Sequence, residues 1–172
     1  MEQKVSTSKF AFQQGLILAL IATIYTLIVQ LTGLYQQTWA NYISYIIYLG
    51  FIIYLFKKYK ELNDGYMTLG QALGAGTLAV TVGGAISSIV YALYIQFVDD
   101  SSIQYMMQKQ NEEMYNSGMS MEQIEAAESM AGMFQGPIFI IIAGTIGSAI
   151  IGFIISLIVG LFMKRNPPQD EF

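Results

Sequence analysis

The residues that could do chemistry gather in one stretch, 99–136. It holds Glu122, Glu125 and Glu128 at three-residue spacing, with Asp99, Asp100, Glu112 and Glu113 before them and Ser101, Ser102, Ser117, Ser120 and Ser129 among them. Paired carboxylates can do acid–base work. A serine becomes a nucleophile only beside a base, and the chain has neither histidine nor cysteine. Glutamates three apart are also what the solvated face of a helix shows, and that reading fits better here. The same stretch carries Met106, Met107, Met114, Met119, Met121, Met130 and Met133. Thioethers suit Cu(I). With no histidine or cysteine to complete a ligand set, they read instead as an adaptable apolar surface. The chain is therefore not expected to be an enzyme, and no catalytic residue, cofactor or metal site is expected.

What must position these residues is set by the rest of the chain. Of the 172 residues, 54% are hydrophobic and 12% charged, and no charge falls within 15–34, 39–56, 69–97 or 138–163. An uncharged apolar run of about 18 residues or more can cross a hydrocarbon core of about 30 Å. Helices of a soluble bundle would show a polar face, and these do not. The expected architecture is an all-α integral membrane protein. Four transmembrane helices form a single membrane domain over 1–172, with an extracytoplasmic helical hairpin between the third and fourth.

The last span is organised by Gly144, Ser148, Gly152, Ser156 and Gly160, one small residue per turn. Such a stripe lets a neighbouring backbone approach closely in lipid. The third span offers two matching tracks, Ala75/Ala79/Gly83/Ser87 and Gly84/Ser88/Ala92, as its partner. Helix packing is thus assigned to Gly83, Gly84, Ser87 and the five residues of the last span. Tyr45 and Tyr48 lie inside the second span, where a buried phenol is expected to share its hydroxyl with a carbonyl or a threonine.

Two capping boxes punctuate the chain. Thr68 with Gln71 starts the third span after the turn Asn63-Asp64-Gly65, and Ser120 with Gln123 starts the second helix of the hairpin. The first hairpin helix begins near Asp99–Ser102 and ends at Asn116-Ser117-Gly118. Met106, Met107, Met114, Met121, Ile124 and Phe134 form the candidate partner face, for a second copy, another envelope protein or the lipid surface. Lys164-Arg165-Asn166-Pro167-Pro168 reads as a charged stop leading into an unstructured tail, 164–172.

Lys4, Lys9, Lys57, Lys58, Lys60, Lys164 and Arg165 fall on one side of a four-span arrangement, and only Lys109 on the other. The positive-inside rule then puts both termini in the cytoplasm and the acidic hairpin outside. The basic residues hug the membrane, so no nucleic-acid partner is expected.

The run Gly65-Tyr66-Met67-Thr68-Leu69-Gly70-Gln71-Ala72 resembles the signature of an uncharacterised family of small membrane proteins common in Bacteroidota, a domain of unknown function. The likeness extends to the lysine-rich turn before it, the methionine- and glutamate-rich segment and the Lys-Arg-Asn-Pro close. The resemblance implies a four-span inner-membrane protein and brings no catalytic residues. The expected role is an interaction or accessory envelope protein that uses its hairpin. The alternative is an oligomeric pore or transporter for a neutral solute. Gln30, Asn41, Gln71, Ser87 and Gln96 are its most polar span residues, and no span holds an ionisable acid or base.

Overall fold

The computed structural model describes residues 6–132 and 136–168. Its helices are α1 (Thr7–Leu31), α2 (Thr38–Glu61), α3 (Leu69–Phe97), α4 (Ser101–Asn116), α5 (Met121–Gly132) and α6 (Pro137–Met163). A 3-10 turn, Leu34–Gln36, joins α1 to α2. Among the described residues there is no strand, only an isolated bridge between Met67 and Arg165. α1, α2, α3 and α6 are each long and apolar enough to cross a membrane. The chain is an all-α, multi-pass membrane protein.

Local chemistry explains most helix ends. Thr68 Oγ1 accepts from the Gln71 amide and Gln71 Oε1 from the Thr68 amide, so both halves of that capping box are made. Ser120 and Gln123 make the same pair ahead of α5. α2 runs past its apolar stretch to Glu61, with Lys58 and Lys60 in its last turn, where cations favour the dipole. The chain then reverses through Asp64 and Gly65, both at positive φ (51° and 82°). Glycine takes that conformation freely and aspartate tolerates it. α6 opens on Pro137 at its first turn.

At one end of the bundle the elements are tied together. Thr7 and Tyr59 share a hydroxyl hydrogen bond of 2.8 Å, joining α1 to α2. Lys60 Nζ donates to the Met163 carbonyl, joining α2 to α6. Met67 and Arg165 exchange backbone hydrogen bonds of 2.8 and 2.9 Å, and the Arg165 guanidinium lies 5.3 Å from the Tyr66 ring centroid. This corrects the expectation of an unstructured tail from Lys164. Met67 is extended, so its backbone groups have no helical partner, and Arg165 supplies one. Residues 169–172 lie outside the described residues. This end, with Lys57, Lys58, Lys60, Lys164 and Arg165, is the lysine end. The opposite end, with Tyr35, Trp39 and Tyr42, is the tyrosine end.

α3 is the central helix, with α6 antiparallel on one side and α1 parallel on the other. Against α6 the packing is a ladder of five rungs. Ala72 faces Gly160, Gly76 faces Ser156, Val80 faces Gly152, Gly84 faces Ser148 and Ser88 faces Gly144. Each rung sets one glycine against a larger residue, and the glycine alternates between the helices. A Cβ at Gly152 would lie 2.8 Å from the Val80 Cβ, and one at Gly144 2.6 Å from the Ser88 Cβ. At Gly84 and Gly76 it would run into the side chains of Ser148 and Ser156. The backbones are closer than any side chain there would allow.

The first α3 track does not belong to that interface. A Cβ at Gly83 would lie 2.8 Å from Leu18 Cγ of α1, and Ser87 shares a 3.2 Å hydroxyl hydrogen bond with Thr26 of α1. Gly83 and Ser87 therefore pack α3 on α1 and not on the last span. The reason is angular. Ala75, Ala79, Gly83 and Ser87 lie about 100° around the helix from Gly76, Val80, Gly84 and Ser88. α1 answers with its own small stripe, Ala11, Gly15 and Ala19, where a Cβ at Gly15 would meet the Ala79 carbonyl at 2.9 Å.

Candidate functional site

The two ends of the bundle are packed differently. At the lysine end α2 buries Phe51, Ile52, Leu55, Phe56 and Tyr59 against Leu18, Met67, Ala72, Ala75 and Val80. In the other half of α2 only Ala40 is buried, while Trp39, Tyr42, Tyr45, Ile46 and Leu49 are exposed. Large residues seat α2 on the bundle at one end. Its tyrosine-end half turns Ala40, Asn41, Ser44 and Tyr48 to the bundle and leaves a gap.

That gap is a cavity of about 390 Å³ walled by all four spanning helices. α1 contributes Tyr25, Thr26, Val29 and Gln30. α2 adds Ala40, Asn41, Ser44 and Tyr48, and α3 adds Gly84, Ser87, Ser88 and Tyr91. Gly144, Gly147, Ser148 and Ile151 of α6 complete it. A smaller recess between Tyr25, Ser44, Ile47 and Tyr48 adjoins it. No lining residue is an acid or a strong base. Toward the lysine end the space stops at fully buried side chains, Leu18, Ile52, Leu55, Phe56 and Val80 among them. The cavity is blind.

Its polar groups divide in two. Tyr25 donates to the Ala40 carbonyl, and Thr26 pairs with Ser87. Ser88 and Ser148 donate to carbonyls of their own helices, of Ala85 and Thr145. Tyr91 shares a hydroxyl hydrogen bond with Ser102 of α4. The side chains of Gln30, Asn41, Ser44 and Tyr48 have no hydrogen-bond partner among the described residues. Gln30 is only 9% exposed. Its amide lines the cavity and is not fully enclosed: the buried side-chain atoms without a partner among the described residues are Gln14 Oε1, Thr77 Oγ1 and Ser156 Oγ. The carbonyl partner expected for a buried phenol is thus found for Tyr25 and not for Tyr48, while Tyr45 is exposed.

Three residues noted for their polarity in the sequence, Gln30, Asn41 and Ser87, meet in this cavity. Gln71 serves the α3 cap, and Gln96 is exposed near the end of α3. Of the packing residues, Gly84, Ser87, Gly144 and Ser148 also form part of its wall. Gly147 was not anticipated. It sits beside the small-residue stripe, and a Cβ there would meet nothing within 4 Å.

The hairpin rests against the tyrosine end. Tyr105 of α4 packs edge-on to Tyr35 at 5.9 Å and its hydroxyl reaches the Gln36 carbonyl at 3.4 Å, so α4 touches the α1–α2 connection. Within the hairpin Asn111 donates to Glu128. The candidate partner face is not one surface. Ile124 is buried, and Met107 and Met114 are half-buried in the seam with Ala127 and Ala131. Met106 and Met121 are exposed, at 58% and 64%. Two short helices need an apolar seam between them, and that need consumes part of each apolar face. Phe134 lies outside the described residues. At the start of α4, Asp99 accepts from the amide and hydroxyl of Ser101, which hold its carboxyl below the usual aspartate range.

Comparison with curated proteins and with solved structures gave no match. A family model described as a protein of unknown function (DUF4199) matches residues 13–165, which span every helix from early α1 to the end of α6. The chain with this ladder and this cavity is a member of the DUF4199 family of proteins of unknown function.

Proposed function

We propose that the protein is an accessory protein of the bacterial inner membrane that holds an uncharged, hydrogen-bonding ligand in the cavity at its tyrosine end. The observation that carries this reading is the convergence of Gln30, Asn41, Ser44 and Tyr48, none with a side-chain partner among the described residues, on one blind space. Ligand sites combine a cleft or cavity of about 300–1,000 Å³ with a few well-placed polar groups. The lining offers no base or nucleophile activated by a neighbour, so binding, not catalysis, is its chemistry. The lysine end, with Lys9, Lys57, Lys58, Lys60, Lys164 and Arg165, supports a cytoplasmic placement of both termini, with the cavity and hairpin toward the outside.

The alternative of an oligomeric pore has less support, because a passage through one copy would cross the sealed lysine-end core. Passage between copies would need a polar face on the outside of the bundle, and Ile142, Ile146, Ile150 and Phe153 make that side of α6 apolar. A second role, meeting another envelope protein or a second copy, is favoured by the exposed Met106, Tyr115, Met121 and Met130 on an otherwise charged hairpin. Native mass spectrometry from membranes tests the first reading. The wild type should carry a bound small molecule that Gly147→Phe, which fills the cavity, does not retain. A wild type and a variant with identical spectra would refute it.

A further inference from the structure

The hydrogen-bonding character of the cavity narrows its ligand further. We infer that the ligand is an uncharged polyol, a sugar ring or glycerol unit, either free or carried as a lipid headgroup. This rests on the cavity reading above.

The argument is one of matching groups. Gln30 and Asn41 each bring an amide that both donates and accepts, and the hydroxyls of Ser44 and Tyr48 also do both. A quinone or other carbonyl compound only accepts, so the two amide oxygens would gain no donor from it. A phosphate or carboxylate would enter a cavity with no cationic lining residue. Desolvating such an anion without a partner is strongly unfavourable. An ammonium ligand would likewise meet no carboxylate. A hydrocarbon would leave all four groups unsatisfied. A polyol, whose every hydroxyl donates and accepts, can satisfy them together. The rings of Tyr25, Tyr48 and Tyr91 add aromatic faces with negative potential, suited to the C–H face of a sugar. The volume of about 390 Å³ has room for a single sugar ring and the start of an attached chain. On the α2 side the wall is exposed at Asn41 and half-exposed at Ser44, so a headgroup can approach beside α2.

The chain has no cysteine, so a single introduced thiol reports on the cavity without background. Ser44→Cys is nearly isosteric, and Gly147→Cys places a thiol on the opposite wall in open space. Each full-length variant is reconstituted in phosphatidylcholine nanodiscs and its labelling by a small methanethiosulfonate reagent is timed. The probes are glucose, monoglucosyl diacylglycerol, phosphatidic acid and decylubiquinone. The expected result is at least fivefold slower labelling with a sugar probe, and no slowing with phosphatidic acid or decylubiquinone. Protection by glucose identifies a free sugar as sufficient, and protection by the glycolipid alone identifies a lipid headgroup. Slower labelling with decylubiquinone or phosphatidic acid alone overturns the polyol and leaves a binding cavity. Labelling that no probe slows also overturns the polyol. If neither thiol reacts under any condition, the space is closed, and the cavity reading fails with it.

Discussion

The lysine end and the tyrosine end of the bundle use the same four helices and reach opposite results. At the lysine end α2 is seated by Phe51, Ile52, Leu55, Phe56 and Tyr59, and Phe56 reaches between Gly76 of α3 and Gly160 of α6. At the tyrosine end α2 presents Asn41, Ser44 and Tyr48 to the gap, while Trp39, Tyr42, Tyr45, Ile46 and Leu49 are exposed. The α3–α6 ladder runs from Ala72 and Gly160 at the lysine end to Ser88 and Gly144 beside the cavity. What differs is the third wall, the face of α2 that closes on the ladder in one half and stands off in the other. A rigid two-helix spine lets a single neighbouring helix decide where a membrane bundle is core and where it is cavity.

Substitutions should separate these two regimes. The largest effect is expected from the spine. Gly152→Leu must displace Val80 and the α3 backbone near Thr77, so it should force the two spine helices apart and abolish folded expression, a larger effect than any single truncation. Ile150→Leu, on the exposed side of α6, should leave thermal unfolding in detergent unchanged. Next comes the lysine-end core. Phe56→Ala should cost about 3–5 kcal/mol in the same assay. At the tyrosine end, Gly147→Leu should leave stability within about 1 kcal/mol, since the new side chain enters open space and glycine is the poorer helix former. Its effect belongs to ligand retention. A smaller effect is expected at Ser156, whose buried hydroxyl has no hydrogen-bond partner among the described residues. Ser156→Ala should be neutral or stabilising by about 1 kcal/mol, because it removes an unsatisfied group and keeps the Cβ that packs on Gly76. The smallest lies at the hairpin root. A carboxyl with a depressed folded-state pKa stabilises above its ordinary range, and that stability is lost as pH falls through the depressed value. Asp99 is in that position, so Ser101→Ala should raise its pKa toward the usual aspartate range in an NMR titration and make the start of α4 loosen at a higher pH.

Much of the spine was legible in the residues themselves. The uncharged runs marked the spanning helices, the Thr68/Gln71 and Ser120/Gln123 pairs marked two starts, and the four-residue spacing marked α6 as a packing surface. The rung register was not legible, because spacing gives a face and not a partner. Gly83 and Ser87 were grouped with Gly84 for that reason, although a one-residue offset turns them toward α1. The stripe Ala11, Gly15, Ala19 was a readable signal for that second interface. The cavity could not be read in advance. It depends on the stance of α2, and nothing local to Gln30, Asn41 or Tyr48 distinguishes a polar residue near an interface from one facing a void. In the hairpin, amphipathicity could not tell a surface kept for a partner from the seam that Ile124 closes.

The most direct test of a bundle sealed at one end and open at the other is a pair of single cysteines on α2 in the otherwise cysteine-free chain. Ser44→Cys should react with a water-soluble thiol reagent in nanodiscs within minutes, and Ile52→Cys, two turns further along the same helix, should remain unmodified in the folded protein. Equal reactivity at the two positions, or modification at Ile52→Cys alone, would contradict the account.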